Sequence, residues 1–479
     1  MYDAAMSTTP CARRISLALL FLSFAGASAS SAQDSLTDRY REEAGRILGA
    51  ALVDVRGWEK LTHLTTVIGN RLSGSQGLER AIDWALAGMA AEGLVHRRQP
   101  VDVPHWVRGA ESAELLHPVQ RPLAMLGLGG SVGTPEEGVT AQVVVVRDFE
   151  ELETLGRAGV EGRIVVYAVE WEGYGSTVRY RAAGASRAAA LGAVAVLVRS
   201  ATGRSLYTPH TGALSYADEH PRIPAAAITP EDALWMLESQ ERGVELRVRL
   251  SMQARTLPDA PSANVIAEIP GSELPDEVVV MGGHFDSWDV GQGAHDDGAA
   301  CMAAWQALTI LKDLGLAPRR TLRVVLWTNE ENGLAGGRAY RAALGEDASS
   351  HVAAIEMDGG CERPVGFGFT LARRGGEGSG AADADARARR LLEEIAAFFA
   401  PIDAAEIRSG GGGADIGPLM RDGVPGMALV TTGEHYFDWH HTHADTLDKV
   451  ELNDFRKAVA LLAVMGYVLA DMPETLAGR

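Results

Sequence analysis

The chain has 479 residues, 46% of them hydrophobic and 22% charged, and a formal net charge of −19. That length exceeds what one compact core fills, so two domains are expected. An acidic balance without any lysine/arginine cluster argues against nucleic acid and against an anionic membrane as partners.

In chain order, Arg13 and Arg14 precede an apolar run over 15–25, followed by small residues to Ala32. This is the order of a secretory signal peptide, so residues 1–32 are expected to be cleaved and the protein exported to the periplasm or beyond. The apolar run is too short to span a bilayer, and Cys11 lies ahead of it, where it cannot serve as a lipoprotein anchor.

Residues 33–112 read as the opening part of the catalytic domain, mostly helical from 36 to 98. There Leu78, Ile82, Ala85, Leu86 and Met89 recur at helical spacing, with Glu79, Arg80 and Asp83 between them. Over 113–250 the character changes: short β-rich runs at 141–146, 163–167 and 193–198 alternate with glycine-rich turns, and an alanine-rich helix fills 181–191. From 251 to 479 apolar runs of buried-strand length (ANVIAEI, EVVVMGG, TLRVVLWT, HVAAIEM, GMALVTT) alternate with helical stretches such as 297–314 and 452–472. The pattern predicts a three-layer α/β/α sandwich with a mixed, mostly parallel sheet.

Ligands in such folds gather beyond the carboxyl ends of the strands. His284 follows EVVVMGG, Glu330 and Glu331 follow LRVVLWTN, and Asp358 follows VAAIEM. With Asp296 in GAHDDG and the histidines of HHTHADT, they form an ordered set of nitrogen and oxygen donors. Zinc takes imidazole and carboxylate and leaves a position for water. A pair of ions about 3.5–4 Å apart needs a carboxylate between them, and hydrolysis needs a further carboxylate as base. After signal cleavage only Cys301 and Cys361 remain, too few for a thiolate zinc site; they either pair or pack as small hydrophobes. Chemistry alone leaves His440, His441 and His443 equivalent, and the chain has no His-Glu-x-x-His helix. His295 reads as a partly exposed turn residue, and Glu356 as a packing or salt-bridge residue.

Taken in order, GGHFDSWD, GAHDDG, TNEENG, EMDGG and HHTHADT resemble the motifs of the co-catalytic di-zinc exopeptidases, metallopeptidase family twenty-eight. GRIVVY, RAAGASRAAALGAVAVLVRS and IPAAAITPEDA resemble the β-rich protease-associated domain inserted into some members. Together the two cover nearly the whole mature chain, and HHTHADT looks most like the plasma carboxypeptidase branch. The resemblance implies two Zn2+ per chain, with His284 and Asp358 on one, Glu331 and His441 on the other and Asp296 between them. It also implies Asp286 as the carboxylate orienting a ligating imidazole, Glu330 as general base, and a cis bond between Asp296 and Asp297. The family spacing His-x-x-x-Asp-Thr selects His441 with Asp445 and Thr446. Many members carry tyrosine just before that histidine, to polarise the substrate carbonyl. This chain has His440 there, so His440 and Tyr436 are the candidates for that donor. His443 is a candidate substrate contact; Asp415, in the glycine-rich loop 409–419, either caps the following helix or binds a substrate amine.

The implied function is hydrolysis of small peptides by a carboxypeptidase or dipeptidase, through a zinc-bridging hydroxide, with the insert shaping access and a homodimer as assembly. An aminopeptidase with the same centre is the alternative. Glutaminyl cyclases and non-catalytic receptor ectodomains share the fold, but the full ligand set and Glu330 speak against a receptor.

Overall fold

Alternation along the strands sorts apolar residues onto two opposite faces. In the strand Leu274–His284, Val279 and Met281 enter one core while Val278 and Val280 enter another. Arg320–Trp327 repeats the pattern, with Leu322, Val324 and Leu326 against Val325 and Trp327. The larger core is closed by the helices Gln76–Ala91, Ala299–Asp313 and Leu452–Asp471; Tyr340, Ile416 and Leu419 close the smaller one. The result is the expected three-layer sandwich. The computed structural model describes residues 35–371 and 381–478; the expected signal peptide, 1–32, lies outside the described residues.

The first sheet has eight strands in the order Val95–Val107, Arg255–Ile269, Arg320–Trp327, Leu274–His284, His351–Glu356, Gly426–Thr431, Pro364–Thr370, Glu406–Ser409. The four from Arg320–Trp327 to Gly426–Thr431 run parallel. Two expectations fail at its edge. Helix ends at Ala91 rather than near 98, and Val95–Val107 pairs antiparallel with a strand that begins at Arg255 rather than 263. Both ends of this pair are polar and proline-containing, with long exposed stretches, so they lack the apolar alternation that marks a strand.

Residues 111–252 hold a second eight-stranded sheet, within the same unit. Its strands alternate in the same way: Val143, Val145, Ile164 and Val166 on one side, Val144, Val146, Val165 and Tyr167 on the other. Three helices flank it, Phe149–Val160, Tyr174–Ala190 and Pro230–Glu241, so this region is α/β rather than merely β-rich. Among the described residues, no helix is long and apolar enough to cross a membrane.

Candidate metal centre

Strand order builds the crevice. Leu274–His284 lies between Arg320–Trp327 and His351–Glu356, so the chain leaves this central strand to one side and returns on the other. Loops diverge at such a point and open a site beyond the carboxyl ends. His284 ends the central strand, Glu330 and Glu331 lie just past its neighbour, and Asp358 just past the third strand. Asn329 turns through a left-handed φ of 67°, which breaks the alternation of the strand and lets both glutamates approach one place. Gly283 has no Cβ because the Asp297 carboxylate occupies that space and accepts the His284 N–H at 3.0 Å.

Asp296 stands between two pairs of donors. Its Oδ1 is 3.1 Å from His284 Nε2, which is 3.5 Å from Asp358 Oδ1. Its Oδ2 is 3.3 Å from His441 Nε2, itself 3.0 Å from Glu331 Oε2. Two donors on a tetrahedral zinc with bonds of about 2.0–2.1 Å stand about 3.3 Å apart, and the four separations cluster around that value. Asp296 Oδ2 and Glu331 Oε1 are buried without any hydrogen-bond partner, an arrangement that is costly unless a cation completes it. The donor set therefore fits zinc.

The far side of each ring is also occupied. His284 Nδ1 faces the main-chain carbonyl of Asp286 at 3.0 Å, and His441 Nδ1 faces that of Thr211 at 3.2 Å. A carbonyl can only accept, so each Nδ1 carries the proton and each Nε2 presents its lone pair. This corrects the expectation for Asp286. Its carboxylate is 3.9 Å from His284 Nδ1, because the turn brings its own carbonyl to the ring first. The carboxylate instead accepts the amides of Glu330 at 3.0 Å and Glu331 at 3.3 Å and the Ser73 hydroxyl at 3.3 Å. Asp445 clamps the other turn, accepting the amides of Ala294, His295 and Asp296 at 3.0, 2.7 and 3.2 Å. The Asp296–Asp297 peptide is cis, as expected. Burial, reinforced by Asp358 and Glu331, holds the Glu330 carboxyl well above the usual carboxylate range.

The remaining candidates separate. His440 stacks on His441 with ring centres 3.5 Å apart, its Nε2 3.7 Å from Asp296 Oδ2; burial and the adjacent His441 hold it well below the usual imidazole range. The half-buried Tyr436 ring lies 5.0 Å from that of His440, and burial beside Asp296 and Asp358 keeps its phenol protonated. His443 is exposed and does not join the cluster. Asp415 does not cap the helix Gly417–Arg421, whose N-cap is Ile416; its Oδ1 accepts the Gly337 amide at 3.1 Å, at the start of the neighbouring helix Ala335–Ala343. Its Oδ2 is buried without a partner. Glu356 makes no salt bridge among the described residues and holds the glycine-rich loop by accepting the amides of Asp415 and Ile416 at 3.3 and 2.9 Å. His295 is buried rather than exposed: Nδ1 accepts the Cys361 amide at 3.0 Å and Nε2 donates to the Lys449 carbonyl at 3.0 Å. Cys301 and Cys361 are buried free thiols.

Two arginines that no sequence motif marks also hold the site. Arg71, fully buried in what reads as a mere glycine/serine turn, donates to the carbonyls of Phe285, Gly69, Gln292 and Gly293, each at 2.9 Å. It ties the segment after His284 to the segment before Asp296. Arg181 reaches His441 from the second sheet's helix. A lone arginine in a turn or an alanine-rich helix carries no periodic signal that distinguishes it from a surface residue.

An α/β/α sandwich with imidazoles and carboxylates converging beyond its strand ends has the architecture and donor set of a zinc enzyme. Residues 264–465 match the profile of peptidase family M28. The chain is 44% identical to carboxypeptidase Q of Bos taurus over 88% of its own length and 86% of the relative's. It superposes on the crystal structure of a peptidase M28 precursor from Shewanella amazonensis with a TM-score of 0.85 and 32% identity, covering 92% of this chain and 98% of that one. BSAP, a zinc aminopeptidase from Bacillus subtilis, shares the fold at a TM-score of 0.65 and 17% identity, over 88% and 96% of the two chains. The chain belongs to peptidase family M28 and is a zinc metallo-exopeptidase.

Proposed function

We propose that the chain is an exported carboxypeptidase or dipeptidase of small peptides working through two zinc ions. The observation that carries the two-ion reading is Asp296, each of whose oxygens faces a separate histidine–carboxylate pair. His284 and Asp358 would hold one ion, Glu331 and His441 the other, and Asp296 both. Bound there, zinc supplies Lewis-acid polarisation of the scissile carbonyl and lowers the pKa of water. The Glu330 carboxylate takes a proton from the attacking water and passes it to the leaving nitrogen, its backbone held by Asp286 Oδ1. The Tyr436 hydroxyl donates to the carbonyl oxygen as negative charge grows there. The carboxypeptidase sense is supported by the relatives named carboxypeptidase Q. Residues 113–250 act as a protease-associated insert over a catalytic domain formed by 33–112 and 251–479, and residues 1–32 as the export signal.

Hydrolysis of a free dipeptide and its N-acetylated and C-amidated forms tests the direction of attack. Loss of cleavage with either block is the dipeptidase result, and loss with amidation alone the carboxypeptidase result. Loss with acetylation alone makes the enzyme an aminopeptidase and overturns the proposal.

A further inference from the structure

His441 is a ligand candidate on a loop, and little of its own neighbourhood in sequence holds it. It follows the short helix Tyr436–Trp439 and has a left-handed φ of 61°, a conformation that strains a non-glycine residue. Contacts from elsewhere must over-determine it, and they come from the loop between Ala195–Arg199 and Ala225–Ile228 of the second sheet. The Thr211 amide donates to the His441 carbonyl at 3.0 Å, and His210 Nδ1 donates to the His440 carbonyl at 2.7 Å. The Thr211 carbonyl accepts from His441 Nδ1 at 3.2 Å.

That carbonyl has a second lone pair, and Arg181 Nη1 takes it at 3.3 Å. The same nitrogen is 3.4 Å from His441 Nδ1. Two N–H donors cannot bond one another, so both converge on Thr211. Arg181 Nη2 donates to the Tyr174 hydroxyl at 2.8 Å, and Tyr174 packs edge-on to His440 with ring centres 5.2 Å apart. Gly212 completes the seat: a Cβ there would run into the guanidinium. Arg181 is 8% exposed, and its Nε is buried without a partner. A cation buried on such terms is expensive, and helix packing alone is served better by an apolar residue.

We propose that Arg181 is a positioning residue of the metal centre: acting through the Thr211 carbonyl, it fixes the ring of His441 so that Nε2 faces Asp296 and Glu331. The second sheet is then part of the zinc site and not only a cover over it. This rests on the assignment of His441 as a zinc ligand. Outer partners of this kind are worth about 10- to 100-fold in metal affinity.

The test is zinc retention by the full-length holoenzyme during titration with a chelator, read by elemental analysis beside thermal unfolding. Arg181→Met should release one of two zinc equivalents at about 10- to 100-fold lower chelator and keep the other as in wild type, and excess zinc should restore its kcat. Arg187→Met, on the same helix but ion-paired to the exposed Glu153, should titrate as wild type. If Arg181→Met folds poorly, Tyr174→Phe removes one anchor of the guanidinium and should weaken the same equivalent by a smaller factor. Wild-type chelator resistance in the folded variants, with only the unfolding temperature lowered, would overturn the proposal and leave Arg181 a packing residue. A wild-type enzyme holding a single equivalent would instead overturn the two-ion reading beneath it.

Discussion

The two halves of the metal centre are built differently. His284 and Asp358 stand at the ends of adjacent parallel strands, and the outer partner of His284 is the carbonyl of Asp286, two residues away. His441 stands on a turn outside the sheet, and its outer partner is the carbonyl of Thr211, 230 residues distant. One half is held by local chain geometry and a buried sheet; the other is held by His210 and Thr211, from a loop of the second sheet. The two should therefore respond differently to substitution, although Asp296 joins them.

Glu330 and Tyr436 separate chemistry from construction. Glu330→Gln should lower kcat by about 10²-fold or more with both zinc equivalents retained; activity within severalfold of wild type would remove it as the base. On the loop half, Tyr436→Phe should cost about 10²-fold in kcat, with zinc content unchanged, and an unaltered kcat would return the carbonyl-polarising role to His440. Arg71 tests the strand half. Arg71→Met leaves the carbonyls of Phe285 and Gln292 without their donor and leaves that of Gly293 with only the Gly298 amide, so stability in urea should fall by about 3 kcal/mol. A loss under about 1 kcal/mol would show that the turns around His284 and Asp296 hold themselves.

The same contrast explains what was legible in the sequence. His284, Glu330, Glu331 and Asp358 follow apolar runs, and a parallel sheet delivers the ends of such runs to one edge, so local pattern sufficed to gather them. Nothing local distinguishes His441 from His440 or His443; only a family spacing did, and the contacts that hold it come from a different part of the chain. The family resemblance made Asp286 the carboxylate that orients an imidazole but could not foresee that its carbonyl would reach the ring before its carboxylate. Asp415 looked like a cap for the helix that follows it, because sequence cannot show that the start of Ala335–Ala343 lies closer to its Oδ1. His295 looked exposed because turn residues usually are, whereas here Cys361 and Lys449 close over both ring nitrogens.

Zinc content after exhaustive dialysis tests the two-ion centre most directly. Wild type should retain two equivalents per chain and His441→Ala one, held by His284, Asp358 and Asp296. One equivalent in wild type, unchanged in His441→Ala, would contradict a centre divided between a strand half and a loop half.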